Sequence, residues 1–193
     1  MSIKIPGIIL SAGYSSRMVY PKHSALIGGK AFINRIVESM RTAGIEKIIA
    51  VFNPQNKIEG DFLPVINHHP EDGQLSSLQT ALKNFDCDSG FLLHLVDRPI
   101  VNASTFKRLL RPEYDENIII PSYKGCKGHP VRLPAGFTEE IISAEKGLAL
   151  RDIINNYKDL VKIIKIDDEG ILLNIDTQET LAEYEKLFGK NLK

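Results

Sequence analysis

Apolar and polar positions along the chain follow two rhythms. Short, near-continuous apolar runs recur at "GIIL", "KIIAVF", "FLPVIN", "GFLLHLV", "NIIIP" and "LVKIIKI", each the length of a buried strand. Between them lie segments whose apolar residues return every three or four positions. In "KAFINRIVESMRTAG" that stripe is Ile33, Ile36, Val37 and Met40, which reads as core packing, and Gly44 stands where a helix would stop. "LSSLQTALKNF", "NASTFKRLL", "FTEEIIS", "LALRDIINNY" and "TQETLAEYEKLFG" read as further helices. Asn102 or Ser104 is the expected N-cap of the second of these, and Thr177-x-x-Thr180 opens the last. "YKGCKGHPVRLP" reads as an extended, glycine-punctuated excursion. Strands separated by helices, with apolar strand cores, predict an α/β layer fold around a mostly parallel sheet. No repeat, low-complexity tract or linker interrupts the pattern, so residues 1–193 are expected to form a single domain.

Composition narrows the class. Of 193 residues, 43% are apolar and 25% charged, as in an ordinary globular protein. Lys+Arg 24 balances Asp+Glu 24, so there is no basic footprint for nucleic acid, and an anion must be captured by local geometry. Cys87 and Cys126 stand far apart without metal-ligand spacing, which reads as two free thiols in a reducing compartment. The start "MSIKIPGIIL" is broken by Pro6 and Gly7, too early for a secretory segment. No stretch approaches the ~20 apolar residues that cross a membrane. The expected setting is cytoplasmic, with neither membrane nor nucleic acid as partner.

In parallel α/β sheets, ligands bind beyond the carboxyl ends of the strands. Three clusters stand in such places. Behind "GIIL" comes Ser11-Ala12-Gly13-Tyr14-Ser15-Ser16-Arg17-Met18, then Lys22. Small residues let backbone amides approach an anion, while Arg17 offers a fork and Lys22 a compact charge. Neither GxGxxG nor GxxxxGK[ST] occurs, so the choice is between a phosphate cradle of another kind and a surface loop. Behind "GFLLHLV" comes Asp97-Arg98-Pro99, where Asp97 is either a magnesium ligand or an Asx-turn residue. In "GILLNIDTQETL", Asn174 and Asp176 share one face of an extended stretch. Asp176 is either a second ligand or the N-cap of the closing helix. Magnesium takes one or two carboxylates and completes its shell with phosphate and water, so two aspartates, each behind a strand, would suffice.

"LSAGYSSRM" with Lys22, "DGQLSSLQTAL", "LVDRP", "GHPV" and "NIDTQETL" occur in the order seen in MobA-like nucleotidyltransferases. The likeness runs from Gly7 to Leu181 and is strongest to molybdenum cofactor cytidylyltransferases. Val19 stands where that family has glycine, and Asn174 where it has aspartate. The resemblance implies a Rossmann-like three-layer nucleotidyltransferase fold, Mg2+ or Mn2+ as cofactor, and release of pyrophosphate from a nucleoside triphosphate. It implies that Leu10, Ser11, Ala12, Gly13, Ser15, Ser16, Arg17 and Lys22 hold the triphosphate. Gly73 and Ser77 would then lie along base and ribose, and Asp97 and Asp176 would bind the metal.

Under that resemblance, a phosphate oxygen of the acceptor attacks the α-phosphorus, with Arg17, Lys22 and Asp97 as the catalytic set. Guanylyltransferases of the family carry Gly-Gly where this chain has Ala12-Gly13. The added methyl narrows the space near the base and favours CTP. The implied acceptor is molybdopterin, with a molybdoenzyme as recipient of the product. The alternatives are a sugar or polyol phosphate acceptor, or a binding protein that has kept the fold without catalysis. His129 and Arg98 are candidate acceptor contacts, against the readings of a turn histidine and a surface charge. His68 and His69, being adjacent, suit no shared metal and read as loop residues.

Overall fold

Each apolar run forms a strand, and "GIIL", "KIIAVF" and "GFLLHLV" are near-continuously apolar because both of their faces are covered, whereas the runs at the two edges of the sheet keep exposed positions. The computed structural model describes residues 5–14, 17, 18, 21–56 and 58–190; Ser15, Ser16 and Val19 lie outside them. The first half of the chain runs β1 (Gly7–Leu10), the short pair β2 (Leu26–Ile27) and β3 (Lys30–Ala31), α1 (Phe32–Thr42), β4 (Ile48–Phe52), β5 (Leu63–Ile66), α2 (Gln74–Asn84) and β6 (Phe91–Leu95). The second half runs α3 (Ala103–Leu109), β7 (Ile118–Tyr123), β8 (Cys126–Lys127), β9 (Val131–Leu133), α4 (Phe137–Ser143), α5 (Leu150–Asn155), β10 (Val161–Lys165) and α6 (Gln178–Lys190).

The main sheet has the order β10-β7-β9-β6-β1-β4-β5, with β8 paired to β7. Neighbours from β6 to β5 are parallel, as are β7 and β10, and β9 alone runs against both of its neighbours. Side chains alternate across the sheet. Ile9, Ala50, Phe52 and Leu92 pack under α1, α3 and α6. Ile8, Leu10, Ile49, Val51 and Leu93 pack under α2, α4 and α5. The result is the expected three-layer, Rossmann-like arrangement. The predicted stripe Ile33, Ile36, Val37 and Met40 is buried in the first of these layers, and each such side chain contributes about 1.5–3 kcal/mol.

The excursion "YKGCKGHPVRLP" is the main departure from expectation. Its middle forms β8, and Val131–Leu133 becomes β9 inside the sheet. The pattern is hidden because Arg132 sits at a position only 1% exposed. Its guanidinium donates to the carbonyls of Leu109 (2.9 Å) and Arg111 (2.8 Å) and pairs with Asp115, so the charge is satisfied internally.

From β1 the chain builds outward through β4 to β5, then returns to place β6 on the other side of β1. That reversal opens a crevice at the carboxyl ends of β1 and β6, where α/β sheets bind ligands. Among the described residues, no helix is long and apolar enough to cross a membrane.

Candidate active site

A cavity of about 270 Å3 occupies that crevice. Leu10, Ser11, Ala12 and Gly13 line it from the loop after β1, joined by Arg17 and Lys22. Gly73 and Ser77 line it from the start of α2, and Asp97 and Asp176 complete the set. Gly73 holds φ at +92°, a conformation that favours glycine, and α2 begins at once behind it. The amide groups of the first turn of α2 therefore border the cavity, a setting that favours negative charge.

Opposite charges face each other within the cavity. Lys22 Nζ lies 3.2 Å from Asp97 Oδ2, with each side chain 17% exposed. Arg17 lies 2.7 Å from Asp176 Oδ2, and the arginine is largely exposed. Asp97 Oδ1 and Ser11 Oγ are buried, yet neither has a hydrogen-bond partner among the described residues. Buried polar atoms are ordinarily paired, so these two mark positions where a ligand or a cation would be satisfied.

Both aspartates are released from the ordinary roles that sequence left open. The turn at Asp97 is closed by backbone, Arg98 N donating to Leu95 O at 3.1 Å, which leaves the carboxylate to Lys22. The cap of α6 is Thr177, whose Oγ1 accepts from Thr180 N at 3.2 Å. Asp176 is thereby left to Arg17. The expectation that each aspartate follows a strand is corrected here: Asp97 follows β6, whereas Asp176 follows a short 3-10 turn at Glu169–Ile171 and an unpaired segment. That segment reaches the crevice through one backbone bond, Ile175 N to Asp97 O at 2.8 Å.

Two asparagines that the sequence reading passed over brace the cavity from behind. Asn53, the first residue after β4, is fully buried and donates Nδ2 to the carbonyl of Ala12 at 3.0 Å. Asn67, the first residue after β5, donates to Ser76 Oγ (2.9 Å) and Ser77 Oγ (3.0 Å). Each spends its Oδ1 on the backbone N–H two residues on, the local turn that asparagine favours. Their place behind apolar runs was the available signal.

A larger groove of about 1100 Å3 adjoins the first cavity, sharing Leu10, Gly73, Gln74 and Leu95 with it. Apolar side chains such as Leu93, Val131 and Ile154 line it, with Lys127, Arg151 and Lys158 as cations. His129 and Arg98 both border this groove. Burial, then the charge of Arg98, pulls the His129 pKa down to about 4, so its ring is neutral near pH 7. Arg98 donates from Nη1 to Ile171 O at 2.9 Å, while its buried Nε has no hydrogen-bond partner among the described residues. Beneath it, His94 is fully buried in β6, and burial foremost pulls its pKa down to about 3. The neutral His94 ring donates from Nε2 to the Arg98 carbonyl, 2.9 Å away. His68 and His69 are exposed, and His69 meets Glu71 at 3.2 Å. Cys87 is buried and Cys126 exposed, both as free thiols.

Among the described residues, no group of three or more His, Cys, Asp or Glu could hold a metal unaided. A cation here would rest on the two aspartates and on oxygens brought by a ligand, the mode that magnesium prefers. The buried, unpartnered Asp97 Oδ1 fits that requirement.

Comparison with known proteins bears on this geometry. The model of the MobA-like NTP transferase domain matches residues 7–161. A protein of Bacillus cereus (strain ATCC 10987 / NRS 248), named a probable molybdenum cofactor guanylyltransferase, is 27% identical over 133 residues. That alignment covers 64% of this chain and 64% of the relative, so the chain spans under two thirds of the relative's length. Rv0371C of Mycobacterium tuberculosis H37Rv, solved as a complex with manganese, superposes with a TM-score of 0.75 at 19% identity, covering 96% of this chain and 100% of that one. The 4-diphosphocytidyl-2C-methyl-D-erythritol synthase of Anaerococcus prevotii DSM 20548 does so with a TM-score of 0.75 at 18% identity, covering 96% of each.

Proposed function

The chain belongs to the MobA-like NTP transferase family, and from that premise we propose that it moves a nucleoside monophosphate from CTP to the phosphate of a molybdopterin-type acceptor. The observation that carries this reading is the meeting of Asp97 and Asp176, remote in sequence, with the loop after β1 in one cavity.

The chemistry asks little covalent work of the protein. An ionised phosphate oxygen of the acceptor attacks the α-phosphorus, and pyrophosphate leaves along the opposite direction. No side-chain nucleophile or general base is needed; alignment and charge neutralisation carry the rate. The amides of Ala12 and Gly13, the hydroxyl of Ser11 and the cations of Arg17 and Lys22 hold the triphosphate. As charge moves to the leaving group, both cations stabilise it. Asp97 and Asp176 would hold Mg2+ or Mn2+, which supplies further neutralisation on the phosphate oxygens. Ser77 and Gly73 lie along base and ribose.

CTP is favoured by Ala12, a residue of the cavity lining at the position where guanylyltransferases of the family carry a second glycine. GTP is the second reading, favoured by the name of the Bacillus cereus relative. The same name, with the size and apolar lining of the adjoining groove, supports a molybdopterin-type acceptor over a sugar or polyol phosphate. A molybdoenzyme would then take the finished cofactor.

The test is pyrophosphate release with each of the four common triphosphates, magnesium, and either molybdopterin or a polyol phosphate. Release with CTP and molybdopterin is the expected result. Release with the polyol phosphate alone replaces the acceptor, a GTP preference replaces the nucleotide, and tight binding without release replaces catalysis by a binding role.

A further inference from the structure

The segment that carries Asp176 lacks the sheet partners that fix Asp97, so its position depends on individual bonds. At its upstream end Asp168, only 5% exposed, accepts from Asn102 N (2.9 Å), Thr105 Oγ1 (2.6 Å) and Gly170 N (3.0 Å). A Cβ at Gly170 would stand 2.3 Å from Ile100 O, and one at Gly128 would stand 2.3 Å from Ile171 O, so both contacts require glycine. Downstream, Ile175 N reaches Asp97 O. Midway, the carbonyl of Ile171 accepts two bonds: His129 N at 3.1 Å and Arg98 Nη1 at 2.9 Å.

Arg98 is the residue that joins both halves. Its backbone is part of the turn that displays Asp97, and its carbonyl is held from below by His94. Its side chain is bonded to the strap that displays Asp176. A guanidinium donating to a carbonyl is a charge-assisted bond with fixed planar geometry, which a flexible ammonium does not reproduce.

We propose that Arg98 is a positioning residue: it fixes the strap 168–176 to the turn 96–98, and so sets the spacing of the two carboxylates that share a cation. This rests on the reading of Asp97 and Asp176 as a metal pair. It stands as a rival to the expectation that Arg98 contacts the acceptor: Nη1 is bonded to Ile171 O, while Nε has no hydrogen-bond partner among the described residues. Partners that orient metal ligands from behind typically change metal affinity or activity by about 10–100-fold when removed.

The experiment is a Mn2+ titration followed by electron paramagnetic resonance, with a non-hydrolysable α,β-methylene analogue of CTP present, together with steady-state kinetics. Arg98→Met is expected to weaken Mn2+ binding by ~10-fold or more and to lower kcat, with the KM for acceptor unchanged. Arg98→Lys is expected to lose most of the same affinity although it keeps the charge. Free guanidinium at millimolar concentration is expected to restore part of it to Arg98→Ala, a rescue that a misfolded protein would not show. A raised acceptor KM with unaltered Mn2+ affinity overturns the proposal and returns Arg98 to the acceptor. Full Mn2+ affinity in Arg98→Lys with no rescue of Arg98→Ala also overturns it. Asp97→Asn and Asp176→Asn are run alongside. If neither weakens Mn2+, the metal pair itself fails; if both do and Arg98→Met does not, only the positioning role fails.

Discussion

Replacing Lys22 by methionine tests the electrostatics of the cavity directly, because methionine keeps most of the volume and removes the charge. Lys22 Nζ and Asp97 Oδ2 are 3.2 Å apart. At an effective dielectric of about 20, unit charges at that distance attract by about 5 kcal/mol before desolvation is counted. Removing one partner of a fully buried pair costs about 3–5 kcal/mol, because the other charge is left uncompensated. Here each side chain keeps 17% of its exposure, so water screens part of the loss, and about 2 kcal/mol is the expected destabilisation. For a domain of this length, that lowers Tm by about 4–8 °C. The second half of the prediction is sharper. A carboxylate without its ammonium is a better site for a divalent cation, so magnesium should raise the Tm of Lys22→Met by more than it raises that of the unaltered protein. Calorimetry at low ionic strength, with and without magnesium, reads both effects. Equal magnesium shifts in the two proteins, or a Lys22→Met Tm within about 1 °C of the original, would refute the reasoning.

Asp97→Ala should cut turnover by at least ~10²-fold, the scale of losing one electrostatic stabiliser, and near-normal turnover at limiting magnesium would remove Asp97 from the site. Asn53→Ala strands the Ala12 carbonyl and should cost about 1–3 kcal/mol in urea unfolding while weakening triphosphate binding; unchanged triphosphate affinity would mean that the loop holds its shape unaided. The pH dependence follows from the two buried histidines. Their pKa values in the folded protein, about 3 for His94 and about 4 for His129, lie below the ordinary 6.5. The unfolded chain therefore takes up protons first as pH falls. The stability they contribute is complete above pH 6.5 and is lost toward pH 4 and then 3, at up to about 1.4 kcal/mol per pH unit for each ring. His94→Gln should lose less stability than the unaltered protein between pH 7 and pH 5, and parallel losses would contradict the assignment.

What sequence disclosed of the fold follows from how each element is held. β1, β4 and β6 are covered on both faces, so nearly every residue is apolar and the run is visible. β9 occupies an equally interior place in the sheet, but Arg132 satisfies its charge against backbone carbonyls, and that solution leaves no mark on a hydropathy pattern. The two-residue strands β2 and β3 are too short to carry a period at all.

The same division separates the parts of the candidate site. Asp97, Lys22 and Arg17 stood out because their charges are rare behind apolar runs. Asn53 and Asn67 occupy equivalent places and do comparable work, but a neutral amide after a strand is also the commonest kind of turn residue. The bonds of Arg98 and His129 N end on the carbonyl of Ile171, a group that every residue possesses. Net charge shows why composition could not go further. Equal numbers of acids and bases left no net basic charge to read, yet among the described residues of the cavity Lys22 pairs with Asp97 and Arg17 with Asp176. A site balanced in that way gains little from a bare anion or a bare cation. Triphosphate and divalent ion arriving together give each of the four charges a new partner at once, so the pairing itself, rather than the sum, prepares the cavity for a metal-bound nucleotide.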